Sequence, residues 1–524
     1  MMCGIIVSET KLLDLSSAGE RIIARGPDQS QIMVLGNHVF LFNRLAIMGL
    51  DERGMQPFVH GNAMLVANAE IYNYASIRQN LLSQYECVGG SDCEVLLPLF
   101  EREDVRMFSS LDAEFAMVLY DPKRGSLVAA RDPIGIRPLF YGILPDGQGM
   151  IFASEAKALI LFTQDIHPFP PGHYYADGKF TRFSTVLSID SFLMDSLDVA
   201  SLRIRELLEE AVIKRLSSDA PMGFLLSGGL DSSLVCAIAA RHLNYPIRTF
   251  SIGMDTDPID LKYAKIVAQY LGTIHEEVRI TKDDVLSSLV EVIDALETYD
   301  ITTIRASMGM YLLAKHIHQT TDIKVLMTGE VSDELFGYKY TDFAPDEASF
   351  QAECVKRIDE IYMYDVLRAD RCLAANSLEA RVPFGDIAFA SYVMRLNPSL
   401  KMNKYNQGKY LLRRAFEGDW LPKEILHREK AAFSDAVGHS LVDDLKEYAD
   451  ACYTDDEFAL RKQMYTNPSP FTKESLLYRE IFESRYPNMS HWVSDYWMPN
   501  KSWQGCDVSD PSARVLSNYG KSGK

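Results

Sequence analysis

Seven consecutive residues, Ser227-Gly228-Gly229-Leu230-Asp231-Ser232-Ser233, combine the groups that hold a phosphate. Two glycines let the backbone approach an anion with no Cβ in the way. Three hydroxyls and a run of N–H groups supply donors at the start of a helix, its positive end. Asp231 has reason to sit beside phosphate only if a divalent cation lies between them. The Lys of the Gly-x4-Gly-Lys-Ser/Thr pattern is missing, so the turn suits a departing pyrophosphate rather than γ-phosphoryl transfer. A second reactive centre is Cys3, near the translated start. If Cys3 were the mature first residue, its own α-amino group, with a pKa of about 7.7–8, would serve as the base that activates its thiol. A third is the run Thr328-Gly329-Glu330-Val331-Ser332-Asp333-Glu334. Its three carboxylates in five positions repel one another unless a cation or an ammonium intervenes.

The elements that must position these groups read as two kinds. The apolar run Met222 to Leu226 leads into the Ser/Gly turn and Leu234 to Arg241 leads out, which is the order strand, turn, helix. The runs Thr249 to Ile252 and Lys324 to Met327 are likewise followed by helical patterns, which predicts a parallel sheet covered by helices. Helical spacing begins at Leu202, and beyond Phe350 the chain reads as mostly helical. Before that, short β-type runs (Gly4–Val7, His38–Leu41, Ala63–Val66, Phe115–Tyr120, Leu127–Arg131, Gly149–Ala153) alternate with turns and predict a mainly antiparallel domain. Pro168–Gly172 reads as its exit and the polar stretch Ser188–Asp198 as a linker, giving units at 1–190 and 200–524. The last 25 residues, rich in Ser, Gly and Asn, predict poor order.

Composition narrows the function classes. Apolar residues make up 47% of the 524 positions, as expected of a folded protein of several domains. A formal charge of −19 argues against diffuse electrostatic binding to nucleic acid or an anionic membrane. No apolar run approaches the roughly 20 residues that span a bilayer. Eight cysteines without a Cys-x-x-Cys pair predict reduced thiols in a cytoplasmic protein and no zinc site.

Further groups follow Cys3 in order: Arg25-Gly26-Pro27-Asp28, Asn43-Arg44-Leu45, Asn68-Ala69-Glu70-Ile71-Tyr72-Asn73 and Ser91-Asp92-Cys93-Glu94. With these and the Ser/Gly turn, nearly the whole chain resembles the glutamine-dependent asparagine synthetases. The resemblance implies an N-terminal-nucleophile glutaminase sandwich, two antiparallel sheets between helices. An α/β adenylating domain with a helical carboxyl-terminal part would follow. It implies Cys3 as nucleophile, Asn68 and the N–H of Ala69 as oxyanion donors, Arg44 on the glutamine α-carboxylate, and Asp92 with Glu70 on the α-amino group. In the second half it implies ATP and pyrophosphate contacts from Leu226, Ser227, Gly228, Gly229, Asp231, Ser232, Ser233, Ile252, Thr328, Gly329 and Lys430. Asp231 and Asp333 would hold Mg²⁺, Thr302, Thr303, Arg305 and Asp333 the aspartate or its intermediate, and Glu330 would position or deprotonate ammonia. The small-molecule substrates would be L-glutamine, L-aspartate and ATP, and the assembly a homodimer.

This chain departs from the family pattern at Ala69 and Val331, where the family has glycine. It also departs at Gly385, where an apolar residue is usual, and at the doubled methionine, both copies of which must be absent for the amine mechanism. Arg381, in Leu378-Glu379-Ala380-Arg381-Val382-Pro383-Phe384, reads equally as a site residue or as a structural group bonding loop carbonyls. Two other readings stay open: an amidotransferase of the same build acting on a different carboxylate, and a catalytically inactive glutamine sensor.

Overall fold

A computed structural model describes residues 3–81, 85, 87, 89–189, 191–256, 258–429 and 437–520. The amino-terminal part contributes β1 (Gly4–Ser8), β2 (Gln29–Leu35), β3 (His38–Arg44), β4 (Phe58–His60), β5 (Ala63–Ile71), β6 (Ala113–Asp121), β7 (Ser126–Arg131), β8 (Phe140–Ile143), β9 (Met150–Ala153), β10 (Ile166–Pro168), β11 (His173–Ala176) and β12 (Lys179–Arg182). They form two antiparallel sheets, ordered β10-β8-β9-β1-β3-β2 and β12-β11-β7-β6-β5-β4. β1 and β5 are buried along their whole length, so neither alternates polar with apolar residues. Their side chains share one core with the inner faces of β3, β6 and β7.

Strands β3 and β5 run past their apolar patterns, because Asn43, Arg44, Asn68 and Glu70 sit in strand despite being polar. The expected exit at Pro168–Gly172 is corrected: it is a turn inside the domain. Gly172, at φ +67°, reverses the chain into β11, and its N–H donates to Asp132 O at 2.9 Å. The strands end at Arg182, and a helix begins at Leu197 behind the cap Ser196.

The second part holds β13 (Met222–Leu225), β14 (Arg248–Met254), β15 (Ile274–Ile280), β16 (Val325–Met327) and β17 (Glu379–Arg381). All pair in parallel, in the order β15-β14-β13-β16-β17. Strand order reverses between β13 and β16, so their carboxyl ends open a crevice of the kind where such sheets bind ligands. Helices Glu347–Glu360, Asp365–Ala374, His439–Cys452 and Lys473–Arg485 follow, as the helical reading beyond Phe350 expects. The short strand β17 interrupts them. The expectation of poor order at the carboxyl end is corrected for residues 500–520: Trp503, Cys506, Ala513 and Leu516 are buried against Tyr340. A few apolar anchors outweigh the polar composition around them.

Buried ion pairs join the two parts. Arg25 donates to both oxygens of Asp370 (2.8 and 2.9 Å) and to Glu155 (2.7 Å). Arg371 meets Glu155 and Glu297 at 2.9 Å each. Arg215 meets Glu114 at 2.9 Å and Asp386 at 3.0 Å.

Candidate active sites

The first site lies where β1, β3 and β5 meet. Cys3 is fully buried at the head of β1. Its N donates to Asn68 Oδ1 at 3.0 Å, and Arg25 Nε donates to its carbonyl at 3.2 Å. Burial pushes the Cys3 thiol up to about 11, so it ionises only by handing its proton to a nearby base. Among the described residues Asn68 Nδ2, Asp92 Oδ1 and Arg44 Nε are buried polar atoms with no hydrogen-bond partner. Such groups are costly unless a ligand satisfies them. Here they are one amide donor, one carboxylate acceptor and one guanidinium donor.

The partners of these residues hold them still. Arg44 Nη1 donates to Gln29 Oε1 and Asp51 O at 2.8 Å each, and Nη2 donates to Gly49 O. Asp92 Oδ2 accepts the Ile71 N–H at 2.7 Å, and burial raises its pKa. Ala69 lies in extended β5 and not at positive φ, so a side chain there strains nothing. Glu70 reaches Arg381 of β17 at 2.9 Å, and burial raises its pKa against the pull of that guanidinium. Arg381 also donates to the carbonyl of Arg215 at 2.8 Å and to that of Ser217. The structural reading of Arg381 therefore holds.

The second site is a cavity of about 190 Å³ at the carboxyl ends of β13 and β16. The Ser/Gly turn joins β13 to the helix Leu230–His242 with Gly229 as its N-cap. Gly228 sits at φ +69°, and a Cβ there would fall 2.4 Å from Ala264 N. Ser227 Oγ and Ser232 Oγ lie 3.0 Å apart, and the Gly229 N–H donates to Ser227 Oγ at 3.2 Å. Ser227, Gly229, Asp231 and Ser232 line the cavity, as do Leu226, Ile252, Thr328 and Gly329. Gly228 and Ser233 are not among the lining residues. Lys430 falls outside the described residues.

The three carboxylates after β16 avoid one another in three ways. Glu330 pairs with Arg368 at 2.5 Å. Asp333 pairs with the Lys409 ammonium at 2.5 Å. Glu334 is half-buried, and its desolvation together with Asp365 and Asp333 pushes its pKa well above the carboxylate range. Lys409 also donates to both oxygens of Asp231 (2.8 and 2.9 Å) and to Ser332 Oγ (2.9 Å). The intervening cation is thus a lysine from a distant turn. Nothing in the sequence distinguishes Lys409 from a surface lysine, and sequence reasoning misses it. It misses Arg368 too, although charged residues at Asp365, Arg368, Asp370 and Arg371 in one apolar helix are a legible signal.

The expected aspartate contacts divide. Thr302 lines the cavity, and its buried Oγ1 has no partner among the described residues. Thr303 instead donates its N–H and Oγ1 to Asp300, the N-cap of the helix Ile301–Thr320, at 2.7 and 2.8 Å. Arg305 borders the cavity, but its guanidinium is taken by Glu474 (2.8 and 2.5 Å) and Asp510 (3.0 Å). Among the described residues no cluster of three or more metal-ligating side chains occurs. Asp231 and Asp333 would fit Mg²⁺ of the kind that keeps one or two protein carboxylates and takes its other ligands from phosphate and water.

A buried amino-terminal cysteine amid unsatisfied polar groups, and a phosphate-type turn beside carboxylates at the carboxyl end of a parallel sheet, define a two-site amidotransferase. Residues 2–179 match the family model described as glutamine amidotransferase domain, and residues 203–347 and 342–509 match that of asparagine synthase. The chain is 40% identical to a probable asparagine synthetase (glutamine-hydrolyzing) of Schizosaccharomyces pombe, over 99% of each chain. It is 39% identical to asparagine synthetase (glutamine-hydrolyzing) 1 of Saccharomyces cerevisiae, over 99% of this chain and 100% of that one. It is 37% identical to asparagine synthetase (glutamine-hydrolyzing) of Cricetulus griseus, over the whole of both. The chain belongs to the glutamine-hydrolysing asparagine synthetase family.

Proposed function

We propose that this chain makes L-asparagine from L-aspartate, ATP and the side-chain amide of L-glutamine. At the first site, Cys3 Sγ attacks the amide carbon and its proton passes to the α-amine that removal of Met1 and Met2 would expose. Asn68 Nδ2 and the N–H of Ala69 stabilise the oxyanion, an effect worth a few kcal/mol per donor. Arg44 takes the substrate α-carboxylate, and Asp92, aided by Glu70, takes the α-amino group. Ammonia leaves with the amine's proton, and water then cleaves the thioester to glutamate. The observation that carries this half is the Asn68 side chain, its Oδ1 held by Cys3 N and its Nδ2 without a partner among the described residues.

At the second site the β-carboxylate of aspartate attacks the α-phosphorus of ATP. Hydroxide is a poor leaving group from a carboxylate, and AMP is a good one. Pyrophosphate leaves into the Ser227–Ser233 turn, with Lys409 and Lys430 offsetting its charge. Leu226 and Ile252 border the adenosine, and Thr328 and Gly329 the AMP phosphate. Mg²⁺ held by Asp231 and Asp333 would supply charge neutralisation at the phosphates. Thr302 Oγ1 meets aspartate, while Thr303 and Arg305 hold the wall behind it. Ammonia displaces AMP, and Glu330 positions it and accepts the surplus proton.

The protein is proposed to work as a cytoplasmic homodimer. All eight cysteines are free thiols, and among the described residues no helix is long and apolar enough to cross a membrane. Exchange of labelled pyrophosphate into ATP tests the acceptor. Exchange that requires aspartate is the expected result. Exchange with another acid alone would point to a different carboxylate, and none with any acid to a sensor.

A further inference from the structure

Val331 is the one β-branched residue among the described non-glycine positions with positive φ, at +79°. Such a residue is a backbone outlier that persists only where its surroundings dictate it. It is 1% exposed, caps the short helix Ser332–Phe336 and stands between Glu330 and Ser332. The chain reverses at this residue. On one side Glu330 turns to Arg368, and on the other Ser332 and Asp333 turn to Asp231 and Lys409.

Across from it, in the turn Pro383–Gly385 that follows β17, stands Gly385. Its φ is not positive, so its backbone does not demand glycine. The space beside it is narrow: a Cβ there would lie 2.9 Å from Ile136 Cδ1, the end of a flexible side chain, and in ordinary contact with Val382 Cγ1 at 3.5 Å and Val331 Cγ2 at 3.6 Å. Ile136 belongs to the amino-terminal part, and its backbone is held. Asp132 Oδ1 accepts the N–H groups of Ile134, Gly135 and Ile136 at 3.1, 2.6 and 3.0 Å, and Oδ2 accepts that of Arg137 at 3.0 Å. The volume a larger residue 385 would fill is therefore shared by a side chain from each half.

We propose that Val331 is a positioning residue. Wedged against Gly385 beside Ile136, it locks the loop after β16 so that Glu330 faces the cavity at one fixed angle. A glycine in its place would adopt the same φ without strain, but would leave the peptide free to rotate and a gap beside Gly385. A side chain at 385 that extends beyond Cβ would meet Val331 as well as Ile136 and Val382, so its cost falls when 331 is small. The role given to Glu330 rests on the reading above, whereas the packing does not.

Two measurements on the full chain test this. Thermal midpoints are compared for the parent, Val331→Gly, Gly385→Leu and the double variant. The Gly385→Leu change should lower the midpoint by about 2 °C or more in the parent, and by less when Val331→Gly is already present. Additive shifts would overturn the packing pair. Second, Val331→Gly should cut ammonium-dependent asparagine formation roughly tenfold, as small misplacements do. Aspartate-dependent pyrophosphate exchange should stay within about twofold, and the double variant should regain most of the amidation. Val331→Ala should shift in the same direction by less. Parental amidation in Val331→Gly, or an equal fall in exchange and amidation, would overturn the positioning role. A parent that lacks aspartate-dependent exchange would instead overturn the aspartate reading, and the midpoint cycle would then decide the pair.

Discussion

Two residues carry the strongest predictions, and they differ in how visible they are in sequence. Cys3 is legible from its position and from the groups that follow it. Cys3→Ala should abolish glutamine-dependent synthesis and glutaminase activity while leaving synthesis from ammonium within about twofold, because the cavity of the second site does not touch it. Undiminished use of glutamine would remove Cys3 from the mechanism. Lys409 is not legible, because it reaches Asp231 from 178 positions away. Lys409→Met leaves two carboxylates that line the cavity, Asp231 and Asp333, without their ammonium. Pyrophosphate exchange should fall about 100-fold, the scale of a lost charge contact at a reacting phosphate, with glutaminase activity retained. Exchange at the parental rate would show that Lys409 is only a structural counter-ion.

Among the elements, the helix Ile301–Thr320 brings Thr302 to the cavity, and Asp300 starts it. Asp300 is buried, which pushes its pKa up to about 6 against the hydrogen bonds from Thr303 and Trp497. The folded chain then binds a proton that the unfolded chain has lost, over the window from the ordinary Asp value near 3.9 to about 6. Stability from this group is full below that window and declines as pH rises through it. Asp300→Asn does not titrate, so its thermal midpoint relative to the parent should climb between about pH 4 and 6.5. A constant difference would contradict the assignment.

Elements with apolar runs are legible: β1, β6, β13 and β14 all follow their patterns. Strands β2, β12 and β15 are not, because exposed polar residues interrupt them and their pairing with neighbours decides. The Ser/Gly turn is readable because one short segment carries all its groups. The contacts expected for aspartate are not, because Thr303 and Arg305 are taken by Asp300, Glu474 and Asp510, and the last two lie far along the chain.

At the scale of the molecule, charge buried between the halves sets how they dock. Asp370→Asn removes the carboxylate that both arms of Arg25 meet, and losing one partner of a buried pair costs about 3 kcal/mol. Thermal unfolding should move to lower temperature. Looser docking should let ammonia escape to water, where it protonates, so more glutamate should form per asparagine than in the parent. An unchanged ratio would mean that these pairs do not govern passage between the sites. The most direct test of nitrogen passing from Cys3 to an activated aspartate follows the atom itself. Purified protein is given glutamine labelled with ¹⁵N in its side-chain amide, unlabelled ammonium, aspartate and magnesium–ATP, and the asparagine is weighed by mass spectrometry. Asparagine with its side-chain nitrogen mostly labelled is the expected result. Asparagine carrying only unlabelled nitrogen, or none formed while glutamate accumulates, would contradict it.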